Sequence, residues 1–501
     1  MIDLDGLLLV GSAVLLVAVL AARVGASFGL PALLLFLGLG MVIGEAGLGI
    51  RFDDADLAHA LGFGALVLIL AEGGLTTRWN EIRASLTAAG LLATVGTGVS
   101  LGATALFAHY VLGLDPWLAV LLGAVCSPTD AAAVFAVLRR VPLPHRLRGT
   151  LEAESGLNDA PTVLLVALAS EAALGNPPAG GVLGLVGLIA LELVGGVAIG
   201  LALGWLGAQV LRRVALPASG LYPLAAVGWS VLAYGLGSAA HTSGFAAVYV
   251  CALVLGNSAL PHRSATRSFV EGIGWIAQIG LFVMLGLLAS PGRLTWHAVG
   301  IALAAGAFLT VVARPLSVLV SVIWFRLPLS HLAFTSWAGL RGAVPIVLTT
   351  IPLSAGVPGS DFLFDVVLVF VIVFTLVQAP TLAPLARRLG LGRGVMTDIE
   401  VESAPLDKVS ANLLQIRIPV DSQLHGVMVS ELRLPRNAVV SLIIRGEDMF
   451  APSGRQRLRS GDELLIVTPT ALTGTVERRL RAVGRRGRLA NWWNESGGEN
   501  G

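Results

Sequence analysis

The sequence predicts a mostly α polytopic membrane protein of about thirteen transmembrane helices. They form two inverted repeats with broken crossing helices, followed by a small cytoplasmic α/β domain. Three observations carry this prediction. Hydrophobic residues fill 55% of the 501 positions and charged residues only 13%, about half the charge of an ordinary soluble domain. Mean hydropathy is +0.83. Apolar windows near the roughly 20 residues that a bilayer core requires recur along the chain, and the basic residues collect in alternate connections between them.

The chain opens MIDLD, an acidic start unlike the basic leader of a cleaved signal peptide. Residues 5–24 are therefore expected to be a retained span. Further windows fall near 28–48, 57–75, 84–110, 116–138, 149–170, 181–211, 219–237, 242–260, 269–290, 296–325, 330–353 and 362–386. The 61 glycines follow no G-X-Y repeat, which points to close helix contacts rather than collagen. Cys126 and Cys251 both lie in apolar runs, so they are expected to be small core residues and no disulfide framework is implied.

Charge placement orients the spans. If the C-terminus is cytoplasmic, the cytoplasmic connections hold Arg23, Arg78, Arg83, Arg139, Arg140, Arg146, Arg148, Arg212, Arg213, Arg263, Arg267, Arg326, Arg387 and Arg388. The opposite side holds only Arg51 and Arg293. A miscount by one helix midway would move every later loop to the other side and spoil this asymmetry. The expected location is thus a bacterial inner membrane, with the N-terminus outside and the C-terminus in the cytoplasm. Lipid is a partner and nucleic acid is not.

Beyond Arg388 the chain changes character, and fifteen of the 33 basic residues lie there. Residues 412–420, 438–445 and 460–467 read as strands and 424–432 as a short helix. The expected organisation is a transmembrane unit over 1–390, a regulatory domain over 405–470 and a basic, disordered tail over 471–501. The tail's VERRLRAVGRRGRL stretch can equally lie on anionic lipid.

Ionisable residues inside spans mark the chemistry, because each costs on the order of 2.5–3.5 kcal/mol at mid-membrane unless paired or hydrated. In the fifth span, GAVCSPTDAAAVFAVL places Pro128 where a backbone donor is lost, and Ser127, Thr129 and Asp130 beside it can cap or ligate the freed groups. The helix is expected to break there, with Asp130 serving either as an ion ligand or as the charge that neutralises a half-helix end. In the sixth span, ESGLND brings Glu154, Ser155, Asn158 and Asp159 together. Ser155 and Asp159 are four apart and share a helix face. Their oxygens suit a hard cation, and Asp159 can hold either that cation or a proton. In the twelfth span, WAGLRGAVPIVL sets Arg341 among glycines before Pro345, a second expected break. Arginine stays charged, so Arg341 is expected to pair with a carboxylate, and Glu154 is the choice. Arg314 is expected to compensate broken-helix carbonyls or a carboxylate. Glu72, near one end of the third span, reads either as a solvated cap or as part of an ion path.

The fifth and twelfth spans lie seven apart, so they cross the membrane in opposite directions, as inverted repeats require. Broken helices at corresponding positions of two such halves point to a transporter's binding site. The motifs SPTD at 127–130, ESGLND at 154–159, AEGGLT at 71–76 and GLRGAVPI at 339–346 resemble the NhaP-type branch of the cation:proton antiporter-1 family over the whole membrane part. The soluble part resembles the C-terminal lobe of RCK (TrkA-C) regulatory domains, a pairing typical of the family's potassium/proton antiporters.

That resemblance implies an electroneutral antiporter exchanging K+, or alternatively Na+, for H+ by alternating access, with Asp159 as the proton- and ion-binding carboxylate. It also implies ion-site roles for Asp130, Thr129, Ser155 and Asn158, a Glu154–Arg341 ion pair, a homodimer, no cofactor, and a small ligand for the soluble lobe. No enzyme is expected: there is no zinc motif and no serine/histidine arrangement. A ligand-gated potassium channel is the remaining rival, since Thr94-Val95-Gly96-Thr97-Gly98 loosely resembles a selectivity filter.

Overall fold

The computed structural model describes residues 4–28, 32–45, 47–49, 52, 54–130, 134, 143–176, 181–289, 291–325, 327–391, 400–406, 411–419, 422–446, 448–469 and 472–487. The chain divides into two compact units, Met1–Arg393 and Gly394–Gly501.

Unit one is helical. Its segments are α1 (Leu4–Phe28), α2 (Ala32–Ile43), α3 (Ala55–Thr76), α4 (Leu86–Tyr110), α5 (Pro116–Cys126), α6 (His145–Ala173) and α7 (Gly181–Arg213). These are followed by α8 (Leu221–Ala239), α9 (Gly244–Gly256), α10 (Arg263–Leu288), α11 (Trp296–Phe325), α12 and α13 (Ser360–Arg388). The twelfth is split into α12a (Leu329–Trp337) and α12b (Ala343–Ser354). Each of the thirteen apolar windows therefore holds a helix. Among the described residues, six helices are long and apolar enough to cross a membrane by themselves, including α3, α4 and α13. Broken α5 and α12b are among the shorter apolar ones.

Small residues set the packing. On α7, Gly196, Gly200 and Gly204 recur every fourth position, and a Cβ on any of them would collide with Ser243, Ala247 or Val254 along α9. Gly40 of α2 and Gly286 of α10 meet backbone to backbone in the same way. With lipid outside, such close approach replaces the hydrophobic drive that holds soluble helices together. Leucines and valines of α1 and α7, including Leu9, Leu16, Leu183 and Leu191, remain exposed, as lipid-facing residues should. Cys126 and Cys251 are both buried and free.

Among the described residues, two helices carry one π-helical turn each, Leu92–Gly96 in α4 and Leu309–Ala313 in α11. They too are seven spans apart, and each belongs to the span just before a broken one. An extra residue per turn re-aims the side chains that follow, and the residue after the second π turn is Arg314. The filter-like Thr94–Gly98 stretch lies across the first of these turns and the start of the α-helix after it. Its carbonyls are therefore engaged in a helix, which removes the motif behind the channel reading.

Unit two is a five-stranded sheet of order β1-β2-β5-β3-β4, antiparallel throughout: β1 (Glu400–Leu406), β2 (Ala411–Arg417), β3 (Val439–Arg445), β4 (Asp448–Phe450) and β5 (Glu463–Pro469). Alternate residues Leu414, Ile416, Leu464 and Ile466 are fully buried, as period-two side chains on one face require. The three strands read from sequence are β2, β3 and β5. The helix expected over 424–432 is reduced to turns and a 3-10 segment at Val429–Leu432. The sheet also begins at Glu400, before the expected boundary at 405.

The tail expected to be disordered from 471 instead carries α14 (Thr473–Arg486), whose Val476, Leu480 and Val483 are buried in the sheet's core. Three apolar residues on one helix face anchor it despite its charge. Residues 488–501 lie outside the described residues.

Asp462, just before β5, is almost fully buried and takes two 2.7 Å bonds from Arg445 of β3 and a third from the backbone N–H of Arg459. Burial alone would raise its pKa, but the bonds and charges of Arg445 and Arg459 outweigh it and hold the carboxyl below its ordinary value. A depressed native pKa gives stability that is fully present above the unfolded value of about 3.9 and is lost as pH falls through the lower native one. The β2 and β5 amides of the full chain should therefore lose hydrogen-exchange protection in acid below about pH 4. Asp462→Ala should lower that protection at neutral pH by about 2–3 kcal/mol. Unchanged protection in the variant would dismiss the pair as a stabiliser.

Candidate functional site: the crossing of two broken helices

The site begins with backbone that cannot stay helical. α5 ends at Cys126, and Ser127 to Asp130 run unwound past Pro128. α12a ends at Trp337, and Ala338 to Gly342 run unwound before α12b. The two unwound stretches touch: the N–H of Asp130 donates to the carbonyl of Leu340 at 2.8 Å. At Gly342 a Cβ would overlap the Asp130 carboxylate, so glycine is what lets the strands cross.

Half-helix ends carry partial charges, and the side chains complement them. The Asp130 carboxylate lies against Gly342, the cap residue of α12b. Arg341 donates through Nε to the carbonyl of Cys126 at the end of α5, 3.3 Å away, and through Nη1 to the carbonyl of Gly339 after α12a. The end of α5 and a carbonyl of the second unwound stretch thus converge on one guanidinium. This corrects the expected Glu154–Arg341 pair. Glu154 is instead bound by Arg314, with Nη1 2.6 Å from Oε1 and Nη2 3.0 Å from Oε2, both side chains fully buried. Arg341 meets backbone carbonyls instead, and the direct carboxylate contact of Glu154 goes to the other guanidinium.

Glu154 also accepts the hydroxyl of Thr129 at 3.4 Å, and Asn158 donates its amide to that hydroxyl at 3.1 Å and to the Thr129 carbonyl at 3.4 Å. The unwound Thr129 is therefore anchored to α6 by Glu154 and Asn158, four residues and one turn apart.

In front of this frame is a cavity of about 250 Å³ whose walls include Glu72, Thr129, Asp130, Ser155 and Asp159. Oδ1 of Asp159 is buried with no hydrogen-bond partner. The cavity runs along α6 to Glu152 and the exposed Arg148, and to Thr76 and Thr77 at the end of α3. Asp159 and Arg148 are eleven residues apart on one helix, roughly 16 Å. The cavity thus extends about three helical turns along α6, from Arg148 to Asp159.

Five of the six residues expected around an ion, Asp159, Asp130, Ser155, Thr129 and Glu72, share this cavity, whereas Asn158 stands behind Thr129 as its support. Tyr249 and Gln278 also line it. The sequence reading missed both, although each is a polar side chain within an apolar span and so carried the same signal as the carboxylates. Among the described residues no group of three or more His, Cys, Asp or Glu is placed to hold a metal ion.

Gly342→Ala places a methyl where the Asp130 carboxylate now lies, so it should displace Asp130 and the Leu340 contact together. Cation-dependent proton flux is expected to fall several-fold more than in Gly300→Ala, a helical glycine with open space around its Cβ position. Equal flux in the two variants would show that the close crossing is dispensable.

Two helices that unwind where they touch, with a carboxylate cavity beside the contact, are the architecture of a secondary ion transporter. The chain matches the family "Sodium/hydrogen exchanger, transmembrane" over residues 11–388 and the TrkA-C domain over residues 413–481. It belongs to the sodium/hydrogen exchanger family.

Among curated relatives, the K(+)/H(+) antiporter NhaP of Alkalimonas amylolytica is 34% identical over 476 residues, 93% of this chain and 81% of the relative. The K(+)/H(+) antiporter NhaP2 of Shewanella baltica is 32% identical with the same coverage. The Na(+)/H(+) antiporter NhaP of Pseudomonas aeruginosa is 29% identical over 68% of this chain and 83% of its own. Among solved structures, the sodium proton antiporter MjNhaP1 of Methanocaldococcus jannaschii superposes with a TM-score of 0.65 at 22% identity, covering 75% of this chain and 97% of that one. That likeness establishes the fold.

Proposed function

We propose that the protein exchanges one potassium ion for one proton across a bacterial inner membrane, both binding in turn at Asp159. The observation that carries this reading is the shared cavity of Asp159, Asp130, Ser155, Thr129 and Glu72 in front of the crossing. Its oxygens are the hard ligands an alkali cation prefers, by extension from calcium and magnesium. A proton and a cation then exclude one another at a single carboxylate, and that exclusion couples their gradients.

Alternating access follows from cost. An uncompensated carboxylate is expensive to move through an apolar barrier, so the loaded site moves and the empty one does not. The arginine-rich rim is assigned to the cytoplasm by the positive-inside rule, which makes the present cavity cytoplasm-facing and leaves the N-terminus outside. Asn158, engaged with Thr129, adds no second titrating group, which supports electroneutral exchange. Potassium is favoured because the relatives matched over 93% of the chain bear that name. Sodium remains the second reading through the Pseudomonas aeruginosa relative. A homodimer is proposed as the assembly. The TrkA-C unit is proposed to bind a small ligand that shifts the transport equilibrium through its differential affinity for two states.

Proteoliposomes carrying an acid-inside gradient test this. Saturable dissipation of the gradient by external K+, with weaker responses to Na+ and Li+ and none to membrane potential, is the expected result. A larger Na+ response would transfer the assignment to sodium, and single-channel currents would replace exchange altogether.

A further inference from the structure

A second site lies apart from the ion cavity. Between α4 and α6 on one side and α7 and α9 on the other is a cavity of about 520 Å³ with an almost wholly apolar wall, including Leu86, Leu157, Val197, Leu253 and Val254. That volume is within the range that holds a small organic molecule or a chain segment. Val197 and Leu201, on its α7 side, are themselves 38% and 50% exposed on a lipid-facing helix. At one end of the cavity are Trp79 and Asn257, joined by a 2.8 Å bond from the backbone N–H of Trp79 to the Asn257 side chain.

One residue earlier in each segment, Arg78 and Gly256 line a shallow pocket of about 30 Å³ whose walls also include Arg263, Thr266 and Arg267. Arg78 and Arg267 have exposed partners in Glu81 and Glu271. Arg263 has no carboxylate within ion-pair distance among the described residues and donates only to the Gly256 carbonyl at 2.7 Å. The site also sits at the start of α10, whose first N–H groups favour an anion. Independently, Thr266 is 6% exposed and its hydroxyl has no partner. A buried donor left unsatisfied at a cationic helix start asks for an acceptor.

We propose that these adjoining pockets form one site for an anionic phospholipid, its phosphate held at the mouth by Arg263, Arg78 and Thr266 and one acyl chain lying in the apolar cavity past Trp79. The small pocket takes phosphate oxygens rather than a whole headgroup. The net positive charge selects an anionic headgroup over a zwitterionic one, and the wall of Leu157, Val197 and Val254 selects a chain over a soluble anion. Tryptophan at the junction occupies the depth where a headgroup gives way to hydrocarbon. The occupant would therefore lie between α7 and α9 and the pair α4 and α6, the last of which bears Asp159.

Native mass spectrometry of the full chain in detergent tests this with three probes: dioleoyl phosphatidylglycerol, dioleoyl phosphatidylcholine and inorganic phosphate. The expected result is tighter binding of phosphatidylglycerol than of phosphatidylcholine, weakened about tenfold by Arg263→Gln, the loss of one charge-assisted bond, and weakened also by Val197→Trp, which narrows the cavity. Equal binding of the two lipids, or an unchanged affinity in Arg263→Gln, would overturn the headgroup assignment. Displacement by inorganic phosphate at equal concentration, or binding undiminished by Val197→Trp, would mark a soluble-anion site and overturn the lipid. Should Arg263→Gln not fold, the wild-type comparison of the two lipids decides alone.

Discussion

Asp159→Asn is expected to reduce cation-dependent proton flux in proteoliposomes to the level of empty vesicles, while the purified protein remains folded. The two side chains have nearly the same size, so the cavity and the crossing of α5 with α12 should persist. What disappears is the one function the proposal gives this group, which is to hold a proton or a cation in turn. The Oδ1 atom has no hydrogen-bond partner to lose, so the substitution breaks no bond at that oxygen. Asp159→Glu keeps the titrating group one methylene further into the cavity and should retain exchange with an altered apparent affinity. Asp130→Asn separates the two readings of that residue. As a charge facing the start of α12b it should lower thermal stability and leave a reduced flux. As an indispensable ligand it should abolish flux as Asp159→Asn does. Wild-type exchange in Asp159→Asn would reject the mechanism at its centre.

The spans were legible because lipid leaves the chain little choice: every backbone polar group must be satisfied within its own helix, which requires long apolar runs. The breaks were legible for the complementary reason, since Pro128 and the glycines around Arg341 are where that satisfaction fails. Pairing between distant helices was not legible. Arg314 and Arg341 both sit inside spans, and position along the chain does not say which one reaches Glu154, 160 residues before the first. Treating a carboxylate as the only acceptable partner for Arg341 overlooked backbone carbonyls freed where α5 ends and α12 unwinds. In the soluble unit, α14 was hidden by its arginines, although Val476, Leu480 and Val483 recur at helical spacing. β1 was missed because it is an edge strand bearing Glu400, Glu402 and Pro405, residues that sheet edges tolerate and interiors do not.

The corrected ion pair yields the other large expected effect. Glu154 and Arg314 are 2% and 3% exposed and meet through two bonds, so removing either one strands a full charge in the interior. Loss of one partner of a buried pair costs about 3–5 kcal/mol. Glu154→Gln and Arg314→Gln should each lower the unfolding midpoint in detergent steeply. Because Glu154 also accepts from Thr129, its loss should loosen the unwound stretch of α5 and depress transport beyond the loss of stability. The double variant Glu154→Gln, Arg314→Gln removes both charges, so it should be markedly more stable than the sum of the single effects predicts. Arg341→Gln supplies the contrast. Its guanidinium serves the carbonyls of Cys126 and Gly339, so its coupling to Glu154→Gln should be clearly weaker than that of Arg314→Gln. Strong coupling between Glu154 and Arg341, with additivity between Glu154 and Arg314, would reverse the assignment and return Arg341 to the carboxylate.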